Sequence, residues 1–212
     1  MNNEIHVPAS TSRRGKVLRP EFWVADNISY LISSDHEPHS AAMYQEMKPP
    51  TLAEHVHAYF SKTGSGEFLC PEFRKNVRHH KGYGEWTSTF LKNGREMIER
   101  PDRVYYDLEI NTWVAEGGKT RRIKLPETGW VLEFDKETGF PVRSTLNKAD
   151  AHKIFGDDAS FFNATLLGLA AVIRDYNMQL GPFCVLAHYG PGARVSYVGA
   201  RSSRQMSLYA HS

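Results

Sequence analysis

Two carboxylates lie two positions apart in an otherwise apolar and aromatic stretch of the chain. Asp107 and Glu109 belong to residues 103–111, whose β-branched and aromatic side chains predict a strand. Because side chains alternate between the two faces of a strand, both carboxylates should point to the same side. Carboxylate oxygens are the ligands that Mg²⁺ and Mn²⁺ prefer. The spacing therefore predicts a divalent-metal site, although a strand with a solvated acidic face has the same pattern.

Residues 95–111 resemble the first catalytic motif of the archaeo-eukaryotic primase superfamily, in its PrimPol-like branch. That motif typically reads aromatic, Asp-Leu-Glu, apolar, Asn, after a Glu-x-Ile-x-x-Pro lead-in. Here residues 106–111 read YDLEIN and residues 96–101 read EMIERP. The resemblance implies a primase-polymerase-like (RRM-like) core, with Asp107 and Glu109 holding the catalytic Mg²⁺ or Mn²⁺. It also implies a nucleotidyltransferase that acts on nucleotide triphosphates and single-stranded nucleic acid.

The second motif of that family is Ser-x-His, on a strand that follows a helix and contacts the triphosphate of the nucleotide. By element order it falls on Ser196, with Val198 in place of the histidine. A competing placement at His152 has the histidine but lacks the serine and precedes the helix. A third motif, a later aspartate, has no counterpart, because no Asp follows Asp175. The predicted nucleotide-binding side chains are Arg194, Ser196, Arg201 and Arg204. The guanidinium groups of the three arginines suit phosphate oxygens.

Two further segments carry concentrated positive charge. One combines cations for phosphates with rings for base stacking, and its predicted nucleic-acid contacts are Arg74, Lys75, Arg78, Lys81 and Trp86. The same residues also fit a solvated loop. Residues 119–124, which read KTRRIK, predict an exposed edge strand whose charges oppose self-association.

Two other functions use the same residues. A metal-dependent nuclease of the DEDD type would combine the carboxylates of residues 107 and 109 with Asp135, Asp157 and His152 as the base. A non-catalytic nucleic-acid-binding or structural protein on a primase-like scaffold would account for the altered second and missing third motif. The pair His55 and His57 is expected to lie on a helix, where residues two apart diverge by about 200° and do not share a metal.

Composition limits the binding partners and the cellular location that we expect. The 212 residues are 41% hydrophobic and 24% charged, and 26 basic against 24 acidic residues give a formal net charge of +2. Binding of nucleic acid therefore requires a local basic patch. The two cysteines, Cys70 and Cys184, predict neither a disulfide framework nor a zinc site. We expect no membrane partner and a cytoplasmic or viral/host intracellular location, because no apolar stretch has the length of a membrane span or signal peptide.

The expected fold is one α+β domain over residues 21–212, with a mixed or antiparallel sheet and packed helices, after a flexible basic arm at residues 1–20. The predicted elements are a helix over 52–60 capped by Thr51 and Glu54, a hairpin of 130–134 with 141–145, a long helix over 158–177, and strands over 183–188 and 194–199. The apolar stripe expected to be core is Phe161, Phe162, Leu166, Leu169 and Ile173.

Overall fold

A computed structural model describes residues 4–7, 10–11, 17–19, 22–25, 48–60, 82–107, 110–165, 167–177, 179–193 and 198–199. Most of them form strands. In chain order the strands are β1 Glu4–Val7, β2 Ser10–Thr11, β3 Val17–Arg19, β4 Phe22–Ala25, β5 Gly82–Lys92, β6 Glu96–Glu99, β7 Arg103–Asp107, β8 Thr112–Glu116, β9 Lys119–Arg122, β10 Gly129–Phe134, β11 Pro141–Thr145, β12 Phe161–Ala164, β13 Leu169–Asn177, β14 Gly181–Tyr189 and β15 Val198–Gly199. The helices are α1 Leu52–Phe60 and α2 Lys148–Phe155, and a 3₁₀ turn covers Gly156–Asp158.

One large mixed sheet organises the chain. Its strand order is β11-β10-β12-β14-β13-β5-β6-β9, with β15 beside the first part of β5. Neighbouring strands are antiparallel, except that β12 runs parallel to β14 and β15 runs parallel to β5. A mixed sheet with packed helices agrees with the expected class, although strands dominate more than expected. None of the described helices is long and apolar enough to cross a membrane.

The central strands are buried on both faces. Along β14, Phe183 and Val185 point into one hydrophobic cluster, whereas Cys184 and Leu186 point into the other. Helix α1 covers the first cluster, and the β7–β8 hairpin covers the second. Strands enclosed on both sides need apolar residues at nearly every position.

The long helix predicted over residues 158–177 is wrong. The 3₁₀ turn, β12 and β13 occupy that range, and Gly168 with a φ of +70° precedes β13. All five residues from Leu169 to Ile173 are buried, on alternating sides of the sheet. A continuous apolar run fits a helix and a doubly buried strand equally well, so periodicity could not separate them. Phe162, Leu169 and Ile173 are core as expected, Phe161 packs against the core, and Leu166 lies outside the described residues.

The N-terminal capping of α1 is confirmed. The Thr51 N–H donates to Glu54 Oε2 at 2.8 Å, and the Glu54 N–H donates to Thr51 Oγ1 at 3.2 Å. This reciprocal pair satisfies two amides at the helix N-terminus. The Leu52 N–H donates to Thr89 Oγ1 at 2.9 Å, so the start of α1 is also tied to β5.

Buried polar side chains hold α1 against the sheet. His55 Nδ1 lies 3.8 Å from Glu85 Oε2, and both side chains are fully buried. Arg174 lies opposite Glu85 in the register of β13 and β5 and lies over the Tyr59 ring of α1 at 5.7 Å and over the Phe183 ring at 5.3 Å. It also donates to the Pro182 carbonyl at 3.2 Å. Burial of charged groups is costly without such partners, so these contacts favour one position of α1.

The hairpin predicted over residues 130–145 is confirmed as β10 and β11. Its turn is shaped by Asp135, whose carboxylate accepts the N–H groups of Glu137 and Thr138 at 2.9 and 2.8 Å. Helix α2 was not predicted; its N-cap is Asn147, whose side chain accepts the Ala149 N–H.

The strand predicted over residues 103–111 ends early. Strand β7 stops at Asp107, which pairs with Thr112 at the start of β8, so the chain reverses between them. Residues 112–114 belong to the next strand, β8. Strands β1 to β3 lie within the expected N-terminal arm, where β1 pairs with β4 and β2 pairs with β3. The domain boundary at residue 21 stays a prediction.

Replacing Gly139 by alanine tests the packing of the β10–β11 turn on α1. A Cβ there would lie 2.6 Å from the Ala53 nitrogen, whereas a Cβ at Gly168 would meet nothing within 4 Å. The φ angles are similar, +73° and +70°, so both variants carry a backbone penalty of about 1–2 kcal/mol. We expect Gly139→Ala to lower the free energy of unfolding by a further 1–3 kcal/mol or so in urea titrations. Equal losses in the two variants would contradict the packing.

Candidate functional site

Asp107 lies on the outer side of the β7–β8 hairpin. Val104 of the same strand points into the core. Because side chains alternate along a strand, Arg103, Tyr105 and Asp107 share the opposite face. The carboxylate is half-buried and accepts the Ile110 N–H at 3.4 Å. Glu109 lies outside the described residues, so its pairing with Asp107 around a metal stays a prediction.

The nearby carboxylate of Glu116 is held by two donors. The hydroxyl of Tyr105 and the guanidinium of Arg103 both donate to it. These two hydrogen bonds lower the pKa of Glu116, and the bond to Glu116 raises the pKa of Tyr105. With its oxygens engaged by Tyr105 and Arg103, Glu116 is poorly placed as a third metal ligand. Within the part of the chain that the structure describes, no three His, Cys, Asp or Glu side chains gather as a metal site.

The histidines occupy separate environments. His55 is buried against the sheet and His57 is exposed, so the two rings diverge as expected for a helix. His152 is half-buried on α2, which packs against β10 and β11. The structure does not gather Asp107, Asp135, Asp157 and His152 into such a metal group.

Most of the predicted nucleotide and nucleic-acid contacts fall on residues that the structure does not describe. These are Arg74, Lys75, Arg78, Lys81, Arg194, Ser196, Arg201 and Arg204. Val198, at the position of the family's histidine, lies in β15 and pairs with Gly84.

The stacking role predicted for Trp86 is wrong. Its side chain is only 1% exposed and belongs to the core cluster under the β7–β8 hairpin. The ring meets Tyr189 edge-on, with ring centroids 6.4 Å apart. A base cannot stack on an indole that the core encloses.

A group of exposed cations lies instead at the β9 end of the sheet. We call it the basic edge, and it consists of Lys92, Arg95, Lys119, Arg122 and Lys124. Strand β9 is the last strand in the sheet order and pairs with β6. Among the described strands, the prediction of an exposed edge strand at residues 119–124 is therefore confirmed, with the regular strand ending at Arg122.

Strand register brings these cations together. Glu96 pairs with Lys92 on one side and with Arg122 on the other, so the two cations flank it about 10 Å apart. The Ile123 N–H donates to the Arg95 carbonyl at 2.8 Å, which places Lys124 beside the β5–β6 turn. That turn is tight because Asn93 and Gly94 have φ angles of +50° and +61°.

The cations of the basic edge form no close ion pair among the described residues, although Glu96 lies between Lys92 and Arg122 and Glu99 lies opposite Lys119. Some exposed cations elsewhere in this part of the chain do form such pairs, as Arg143 does with Glu133 and Lys153 with Asp150. No described carboxylate lies within 4.0 Å of a cationic nitrogen of the basic edge. By strand alternation Lys119 projects from the face of β9 opposite to Arg122, so the basic edge presents cations on both sides of the edge strand. Since cations outnumber the carboxylates beside them, a bound polyanion would be attracted to this edge.

The sequence did not predict that Lys92 and Arg95 belong to the candidate site. Their contribution depends on the β5–β6 turn, and the dipeptide Asn93-Gly94 between two apolar runs was the signal for it. Comparisons of this chain with protein-family models, with curated proteins and with solved structures give no match.

A melting experiment with Mn²⁺ tests the metal prediction. If Asp107 and Glu109 are ligands, Mn²⁺ should raise the Tm, because it binds only the folded state. Asp107→Asn should abolish this rise and leave the metal-free protein at least as stable, since it removes carboxylate repulsion. Glu116→Gln is the control and should keep the response, because that carboxylate is already engaged by Tyr105 and Arg103. An unchanged Mn²⁺ response in Asp107→Asn would reject the assignment.

Proposed function

We propose that this protein binds nucleic acid without catalysing a reaction on it, and that the basic edge contacts the phosphate backbone. The observation that carries the proposal is the excess of positive charge in the basic edge, where five exposed cations have only Glu96 and Glu99 opposite them among the described residues and form no ion pair within 4.0 Å. The cations lie on adjacent strands and on the turn that joins two of these strands. Of the alternatives raised by the sequence, this is the non-catalytic one.

Counterion release supplies the driving force for such binding. A cation that neutralises a phosphate frees a condensed counterion, so affinity depends on the number of contacts and falls with salt. This mode requires no base-specific geometry. It also requires no large overall charge, and the formal net charge of +2 is compatible with a local patch.

Protection of a sheet edge is the simplest competing explanation. Edge strands often carry lysine to oppose pairing with other chains, and Lys119, Arg122 and Lys124 fit that role. Lys92 and Arg95 do not, because they lie on the turn between β5 and β6 and not on the edge strand. The extension of the charge beyond β9 therefore favours a ligand.

A primase-polymerase-like nucleotidyltransferase is the second candidate. The observation that favours it is the resemblance of residues 95–111 to the family motif, with Asp107 on the outer side of its strand. In this proposal Asp107 and Glu109 hold Mg²⁺ or Mn²⁺, and Arg194 and Ser196 meet the triphosphate on a primase-like core. Val198 cannot donate the hydrogen bond that a histidine would supply, so we expect weak or undetectable primer extension.

Neutralising two lysines of the basic edge tests the main proposal. Lys92→Gln with Lys124→Gln should weaken binding of a single-stranded oligonucleotide. It should also reduce the magnitude of the salt slope of log K by about 1.4, because each single-strand phosphate contact contributes about 0.7. Fluorescence anisotropy at several salt concentrations measures both quantities.

The control changes the same charge elsewhere. Lys148 and Lys153 are exposed on α2, so Lys148→Gln with Lys153→Gln should leave the affinity and the salt slope nearly unchanged. If the two double variants weaken binding equally, the effect comes from the net charge of the protein and not from a contact at the basic edge. Absence of oligonucleotide binding by the unaltered protein at low salt would reject the proposal.

The segment around residue 75 gives a separate prediction. If it also contacts nucleic acid, neutralising Arg74, Lys75 and Arg78 together should weaken binding and flatten the salt slope further. The effect should add to that of Lys92→Gln with Lys124→Gln if the two regions contact different phosphates. Unchanged binding in the triple variant would assign these residues to a solvated segment.

A further inference from the structure

An exposed leucine stands beside the basic edge. Leu167 is 84% exposed and lies two residues before Leu169, which pairs with Lys92 across β13 and β5. An isolated exposed leucine needs no explanation by itself. Its position next to Lys92 and the β5–β6 turn is the feature that bears on function.

Two hydrogen bonds fix the backbone next to Leu167. The Asn93 N–H donates to the Gly168 carbonyl at 2.8 Å, and the Gly168 N–H donates to Asn93 Oδ1 at 3.0 Å. Asn93 belongs to the same turn as Lys92 and Arg95, so one turn positions both the cations and the leucine. A Cβ on Gly168 would meet no atom within 4 Å, which leaves space beside the leucine for a ligand.

We propose that Leu167 packs against a base of a single-stranded nucleic acid whose phosphates contact the basic edge. This inference rests on the proposed function and adds the class of nucleic acid. A nucleotide carries an anionic phosphate and a largely apolar base face within a few ångströms of each other. Lys92 and Leu167 present the complementary pair of chemical groups from adjacent backbone segments.

The accessibility of the base faces determines whether Leu167 can contact a single strand or a duplex. In a duplex the base faces are stacked and only their edges reach the grooves. In a single strand the faces are open to side chains, and binding proteins use this contact with little sequence preference. In this proposal the apolar surface of Leu167 contacts an open base face, which only an unpaired strand offers.

An anionic lipid surface would also attract these cations. Helices that bind the membrane interface bury an extended apolar face among the lipid chains. Among the described residues, Leu167 is the one widely exposed large apolar side chain beside the basic edge. The other exposed ones belong to other elements: Ile110, Val142, Leu146 and Ile154. The geometry therefore favours one base contact over insertion into a bilayer.

The test compares two equally exposed leucines. Leu146 is 85% exposed between β11 and α2, so Leu146→Ala is the matched control for Leu167→Ala. The probes are a single-stranded oligonucleotide, a duplex of the same length and an oligonucleotide with abasic sites. We expect Leu167→Ala to weaken single-strand binding about fivefold, the factor for losing part of a buried leucine, with no change in the salt slope. Binding of the abasic strand should not change, and Leu146→Ala should behave like the unaltered protein.

A second variant tests the contact by adding surface. Leu167→Phe should tighten single-strand binding, because an aromatic ring stacks on a base better than a leucine does. The inference is overturned if Leu167→Ala binds intact strands like the unaltered protein, or weakens abasic and intact strands alike. If Lys92→Gln with Lys124→Gln still flattens the salt slope in that case, the proposed function stands. Binding to phosphatidylserine vesicles that depends on Leu167, without oligonucleotide binding, would overturn both.

Discussion

Burial of the central strands on both faces is the constraint on which the rest of the structure depends. Strands β13, β14 and much of β5 lie between two apolar clusters, so one layer has to cover each face. Helix α1 provides one layer and the β7–β8 hairpin provides the other. Apart from the buried polar side chains on β5, β13 and α1, exposed polar groups lie on the outer side of the hairpin and at the ends of the sheet. The basic edge is such an end, formed where β9 has no further strand beside it among those described.

Local signals predicted the parts of the fold that local interactions determine. The capping residues Thr51 and Glu54 gave the start of α1, and the run from Trp130 to Thr145 gave a hairpin, because both patterns have few alternatives. Residues 158–177 failed because apolar residues at nearly every position carry no distinguishing period. The reversal after Asp107 was missed because the strand-like composition continues beyond it. Only pairing with distant strands decides between these possibilities.

In the candidate site, too, local sequence patterns predicted some features, whereas others depend on the pairing of distant strands. The sequence identified residues 119–124 as an exposed charged strand, and it predicted a metal site at Asp107 and Glu109 that stays a prediction. It could not place Lys92 and Arg122 on either side of Glu96, because that arrangement depends on the register of three strands. It also assigned Trp86 to a binding surface, although β5 directs this side chain into the core. Aromatic residues near cations suit a base-binding surface only when they are exposed.

Lysine footprinting with and without an oligonucleotide tests the central claim most directly. A bound phosphate backbone should shield its contact lysines from an amine-reactive acetylating reagent, and mass spectrometry resolves each site. The account predicts protection of Lys92, Lys119 and Lys124, with Lys148 and Lys153 modified equally in both samples. Protection of the α2 lysines with full modification of the basic edge would contradict it.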